Sequence, residues 1–168
     1  MRTIEEYKRM FTEMAVNKKG DKIAPHKAIL LLAVIDLIEN GNITNSYIPL
    51  SDELIRVFND IWKRNVSITS HYNCKFSYPF FHFQSSPFWK LIKTDNYIGQ
   101  KEYSSISPLR RDFIGAKIDD DLFQYLSKQK IRDDIRQLLH KTYLTQTIPS
   151  NPGNLGLMAL ISIMLSVA

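Results

Sequence analysis

Two short stretches of this 168-residue sequence place unusual chemistry side by side. The first, Ala24-Pro25-His26-Lys27-Ala28, sets an imidazole and an ammonium where a long apolar run begins. If that run is a helix, the pair stands on its first turn, where unpaired backbone N–H groups already favour an anion. Two readings stand at this point: a phosphate site, or a histidine packed on a loop beside a solvent-facing lysine. Lys18, Lys19 and Lys22 just upstream tilt the balance toward phosphate. The second stretch, Ser77-Tyr78-Pro79-Phe80-Phe81-His82-Phe83-Gln84, carries a proline inside an aromatic run. Phe80, Phe83 and Phe88 have the character of core, whereas Tyr78 and Pro79 can line a shallow apolar cup with the polar His82 beside it.

Other groupings carry less. A metal-dependent nuclease needs clustered carboxylates, or His and Asn, to hold a divalent ion and activate water. His71-Tyr72-Asn73-Cys74 brings His and Asn together, but no second ligand pair stands at metal-binding spacing. Glu6-Tyr7-Lys8 matches the end of an acid-x-Lys nuclease motif without the upstream Asp. Asp119-Asp120-Asp121 is explained by the favourable field at a helix start, without any ion. There is no Gly-rich phosphate loop and no recognisable nucleophile motif. The sequence therefore predicts a binding module with no catalytic residues, metal or cofactor.

Composition bounds the setting. Lys and Arg outnumber Asp and Glu by 22 to 17, a net charge of +5 that suits a polyanionic partner. The hydrophobic share of 44% is enough to offset the entropy of ordering, so folding is expected. A single cysteine, Cys74, excludes a disulfide framework and fits a reducing compartment, and no apolar signal core follows Met1, so the expected location is the cytoplasm. Leu155 to Ala168 is almost wholly apolar but shorter than the roughly 20 residues that span a bilayer. It reads as a tail packing on the domain, an oligomer contact, or the start of a further element. The expected division is a domain over 1–146 and an apolar tail over 147–168, with TQTIPSNPGN at the edge.

The elements that must position these residues are mostly helices. Ile4, Tyr7, Phe11 and Met14 recur at helical spacing within Thr3 to Val16. Pro25 to Asn40, with Pro early and Gly41 just past the end, is apolar all round and reads as a buried central helix. Ser51 caps a third helix to about Asn65, with Leu54, Val57, Phe58 and Ile61 on its inner face and Trp62 closing it. FSYPFFHFQ and PFWKLI, rich in aromatics, predict two short strands or a hairpin with Pro79 at an edge or bulge. Ser107-Pro108 is expected to open a short helix that Gly115 ends. Asp119 starts another helical stretch, and Gln129 to Leu144 forms the last, with Ile131, Ile135, Leu138 and Leu139 inward. The expected fold is α+β, a mostly helical single domain with a small antiparallel sheet.

Taken together, PHKAILLLAVIDLIENGNI, YPFFHFQSSPFWKL and SSISPLRRDFIGAKIDDDLFQYL resemble the sulfur-binding domain of phosphorothioate-dependent restriction endonucleases of the McrA type, over about residues 4 to 144. The resemblance implies Tyr78, Pro79 and His82 as walls of the sulfur pocket, and His26 and Lys27 as phosphate ligands. Lys27 stands where some relatives have Arg, and a lysine lacks the planar guanidinium fork. His82 is bulkier and more polar than the small residue of some relatives. The loop that reads bases in the family corresponds here to Gln100, Lys101, Ser104 and Ser105.

The function so implied is sequence- and modification-specific binding of double-stranded phosphorothioate DNA, as the recognition module of a type IV restriction system. Cutting would belong to a nuclease domain or subunit, since no HNH catalytic segment follows; a homodimer is compatible with the chain. Two alternatives remain: a domain of the same fold reading unmodified or otherwise modified DNA, and a protein-interaction domain acting through the apolar tail.

Overall fold

The computed structural model describes residues 1–145. The whole of the 147–168 tail, and therefore any role for it, lies outside the described residues. The chain runs α1 (Ile4–Thr12), β1 (Lys18–Lys19), β2 (Lys22–Ile23), α2 (His26–Glu39), β3 (Tyr47–Pro49), α3 (Asp52–Asn65), α4 (Ser77–His82), a 3-10 turn (Phe83–Ser85), β4 (Trp89–Lys93), α5 (Ile106–Asp112), β5 (Phe113–Ile118), α6 (Asp120–Leu126), α7 (Gln129–Leu139) and a π-helical turn (His140–Leu144).

Helix α2 is the axis of the core. From His26 to Ile38 every residue but Asp36 is buried, so the helix has no solvent face, as its all-round apolar sequence requires. Its two acids, Asp36 and Glu39, are met by Arg136 of α7 at 2.8 and 2.5 Å. Around it pack α3, α4 and α7. In α1, Thr3 and Glu6 form a reciprocal cap, Thr3 Oγ1 accepting from Glu6 N at 3.3 Å and Glu6 accepting from Thr3 N at 2.6 Å. That helix ends at Thr12, short of Val16, and Met14 instead donates its N–H to the Tyr143 hydroxyl at 3.2 Å. In α3, Ser51 Oγ accepts from Leu54 N at 3.1 Å. Leu54, Phe58, Ile61 and Trp62 face inward, with Val57 at the margin.

The aromatic stretch differs from its expectation. FSYPFFHFQ forms α4 and the 3-10 turn rather than a strand, and only Trp89–Lys93 is extended. Phe76, Phe80 and Phe83 are all buried on one side because they recur four and three residues apart. Pro79 sits at the third position of α4, neither at an edge nor at a bulge, where its missing N–H would have no helical partner anyway.

A second correction concerns Gly115, which does not end a helix. Helix α5 begins after Ser105 and stops at Asp112, and Gly115 lies inside β5. There it is paired with Pro49 on one side and Ile92 on the other, in an antiparallel sheet of order β3-β5-β4. A Cβ on Gly115 would fall 2.5 Å from the Ile48 carbonyl oxygen and 2.7 Å from the Tyr47 ring, so the close approach of β3 explains the glycine. With the separate β1–β2 hairpin, the described residues form one α+β domain, mostly helical, with two small antiparallel sheets. Among them no helix is long and apolar enough to cross a membrane.

Candidate nucleic-acid interface

The first turn of α2 places His26 and Lys27. Lys27 is only 4% exposed; its Nζ donates to the Ala15 carbonyl at 2.7 Å and lies 5.5 Å from the centre of the Phe83 ring. Burial lowers its pKa, since desolvation disfavours the ammonium. His26 Nε2 lies 2.8 Å from the Asn73 carbonyl oxygen, which can only accept, so this nitrogen carries the hydrogen and Nδ1 is left as a buried acceptor without a partner. Burial pulls the His26 pKa down, against the Asn73 carbonyl, which pulls it up, and with a further downward push from Lys75. A negative charge near the Lys27 ammonium would offset its desolvation.

Helix α4 supplies the facing wall. The Tyr78 ring lies between two imidazoles, 5.5 Å from His26 and 4.4 Å from His82. Its hydroxyl accepts from Asn17 Nδ2 at 3.0 Å. His82, at the last residue of α4, meets the Glu102 carboxylate at 2.9 Å. Between these elements opens a cleft of about 280 Å³ lined by Ala15, Val16, Asn17, Lys27, Tyr78, His82 and Ser85. Three residues singled out in the sequence, Lys27, Tyr78 and His82, therefore share one cavity. Pro79 is buried in α4, and His26 lies behind Tyr78; neither lines the cleft.

Gln100, Lys101, Ser104 and Ser105 are exposed on the loop between β4 and α5. What fixes this loop is Asp112, a fully buried residue at the end of α5. Its carboxylate accepts from Ile98 N and Gly99 N, each at 3.1 Å, from the Tyr103 hydroxyl at 2.5 Å, and from Arg111 Nε and Nη2 at 2.7 and 2.8 Å. Arg111 above all, then Tyr103 and the two amides, holds the Asp112 pKa well below the usual carboxylate range against the effect of burial. The Tyr103 phenol moves the other way, to about 12, through burial and its bond to Asp112. From this loop Glu102 reaches back to His82, which links the loop to the cleft.

Sequence reasoning did not single out Ala15, Val16, Asn17, Ser85, Glu102 or Asp112. Nearness to the Lys18–Lys22 cluster was the one available signal for Asn17; the partners of Asp112 are separated from it by up to 14 positions, with no spacing rule to expose them. A larger open hollow, of about 530 Å³, lies at the far side against Arg2, Lys90, Lys117 and Asp119 to Asp121. It holds none of the residues discussed above as ligands, and its acids are already engaged by Arg2, Ser46 and Lys117. Among the described residues no three of His, Cys, Asp or Glu converge where a metal ion could sit.

No family model and no curated protein matches this sequence. Solved structures do. The sulfur binding domain of ScoMcrA complexed with phosphorothioated DNA superposes with a TM-score of 0.65 at 14% identity, covering 95% of this chain and 99% of that one. That of SprMcrA, also complexed with phosphorothioated DNA, gives 0.60 at 15% identity over 84% of this chain and 86% of the other. The chain has the fold of a McrA sulfur-binding domain. A third structure, holding both the sulfur binding and SRA domains of ScoMcrA with phosphorothioated DNA, matches at 0.60 and 12% identity, over 86% of this chain and 48% of that longer one. The sulfur-binding-domain fold thus agrees with the resemblance carried by the Pro-His, Tyr-Pro and SPLRR segments. At these identities the likeness concerns the fold, and the chemistry of the cleft rests on the residues of this chain.

Proposed function

We propose that this domain binds double-stranded DNA carrying a phosphorothioate and receives the sulfur in the cleft between α2 and α4. The observation that carries the reading is the convergence of Lys27, Tyr78 and His82 on one small cavity, in a fold shared with domains solved on phosphorothioated DNA. The Tyr78 face, the Lys27 stem, Ala15 and Val16 offer an apolar cup on one side of a cleft whose remaining lining, Asn17, His82 and Ser85, is polar. Sulfur is larger, more polarisable and less strongly hydrated than the oxygen it replaces, so it loses less on entering such a cup. An oxygen there would be desolvated without full compensation, at a cost on the order of 1 to 3 kcal/mol.

Lys27 supplies the counter-charge. Its ammonium has three donors, of which Ala15 takes one, leaving others for a non-bridging oxygen. His26, held to the Asn73 carbonyl through Nε2, stands behind Tyr78 rather than in the cleft. Gln100, Lys101, Ser104 and Ser105 are assigned to the groove, on a loop made rigid by Asp112. Catalysis is assigned to a separate nuclease domain or subunit of a cytoplasmic type IV restriction system, with this domain as its recognition module.

The test uses matched duplexes bearing no phosphorothioate, or one of either stereochemistry, at fixed salt. One stereoisomer is expected to bind about ten- to a hundredfold more tightly than the unmodified duplex. Only one non-bridging position can point into the cup while Lys27 holds the other. Equal binding of all three duplexes across many sequence contexts would overturn the sulfur reading and leave a domain for unmodified or otherwise modified DNA.

A further inference from the structure

The β1–β2 hairpin stands at the rim of the cleft, and the sulfur cup does not use it. Its register pairs Lys18 with Ile23 and Lys19 with Lys22. Ile23 packs against the core, so Lys19 and Lys22 stand side by side on the other face. Side chains directly opposed in this way have Cβ atoms roughly 5 Å apart, and like charges there are destabilising. Among the described residues neither lysine has a carboxylate partner at salt-bridge distance.

The fold nevertheless holds this pair in place. A two-stranded ribbon is marginal by itself in water. Here the Tyr72 hydroxyl lies 3.1 Å from the Lys22 carbonyl and 3.4 Å from that of Asn17, and Ala24 N donates to the same Asn17 oxygen at 2.9 Å. Asn17, immediately before β1, also donates its side-chain amide to Tyr78 at the cleft wall. The hairpin is therefore fixed relative to the cup, with two uncompensated ammonium groups whose mutual repulsion a polyanion would relieve.

We propose that the β1–β2 hairpin is a clamp for two DNA backbone phosphates flanking the linkage held in the cleft, with Tyr72 as its positioning residue. The clamp rests on the DNA-binding reading above, but it has its own readout. Each phosphate neutralised contributes about 0.9 to the slope of log affinity against log salt. The Lys19→Ala/Lys22→Ala variant of the full chain should therefore show a slope shallower by about 1.8 on modified and unmodified duplexes alike, or roughly tenfold less loss between about 50 and 200 mM salt. The ratio of affinities for the two duplexes should not change, and Lys19→Arg/Lys22→Arg should keep the wild-type slope. Tyr72→Phe, which removes no charge, should weaken binding to both duplexes several-fold, and should have no further effect once Lys19 and Lys22 are alanine. An unchanged slope in the folded double-alanine variant overturns the clamp while leaving the cleft untouched. Loss of the sulfur preference in the wild type strikes the cleft instead, and absence of any DNA binding overturns both.

Discussion

Truncating Tyr78 is the change that separates the proposed sulfur contact from the rest of the proposed interface. Tyr78→Ala removes the ring that packs 4.4 Å from His82 and 5.5 Å from His26, and opens one wall of the cleft. Two aromatic contacts of about 0.5 to 1.5 kcal/mol each put the loss of stability at about 1 to 3 kcal/mol, which a domain stable by roughly 5 to 15 kcal/mol survives. The apolar cup is lost, so modified and unmodified linkages meet similar solvent, and a ten- to hundredfold preference should shrink to within about threefold. Tyr78→Phe is the sharper half of the experiment. It keeps the ring and gives up only the hydroxyl bonded to Asn17 at 3.0 Å, a bond worth about 0.5 to 1.5 kcal/mol net. The preference should persist in that variant. Fluorescence anisotropy with both duplexes at one salt concentration reads the ratio directly, and circular dichroism checks the fold. A full preference in folded Tyr78→Ala, or its loss in Tyr78→Phe, would refute the idea that the ring face receives the sulfur.

Two further outcomes concern the frame around the site. Asp112→Asn should release the loop: hydrogen exchange at the Ile98 and Gly99 amides should quicken at neutral pH, because an amide cannot serve all the donors the carboxylate serves. Since the folded pKa lies below the ordinary value, the wild-type carboxylate adds stability above the usual carboxylate range and loses it only as pH falls through the lower folded value. The variant should lack that acid-side loss, and identical exchange and acid titration in the two proteins would dismiss Asp112 as the anchor. Gly115→Ala should cost about 1 to 3 kcal/mol by forcing β3 away, because the added carbon meets the backbone of Ile48; an unchanged denaturant midpoint would count against that packing.

What the sequence disclosed depended on whether the signal was local. The apolar run after Pro25 and the Ser51 cap fixed α2 and α3 closely, because burial on all sides and a side-chain cap are written within a few residues. The aromatic stretch was misjudged because phenylalanine and tyrosine favour strands on average, whereas the helical spacing of Phe76, Phe80 and Phe83 was also readable and here prevails. Strand β3 is three residues long and has no pattern of its own; it exists because β5 offers an edge. At the candidate site, residue type and neighbours single out Lys27 and Tyr78. Their union in one cleft, with Asn17 and His82, depends on how α2 meets α4, and Asp112 depends on a loop closing over it. Such long-range contacts leave no periodic trace.

The burial of α2 on every side has a consequence for how the domain adapts to its ligand. A helix enclosed by α3, α4 and α7 cannot rotate or slide without repacking the whole interior, so the post that carries Lys27 is fixed before any partner arrives. The lysine ribbon, tied down by Tyr72 and Asn17, and the loop, tied down by Asp112, belong to the same frame, so in the proposed complex the fitting must come from the duplex. The domain therefore works as a rigid gauge, and free and bound forms should coincide along α2 and at residues 17–23 and 94–105 alike.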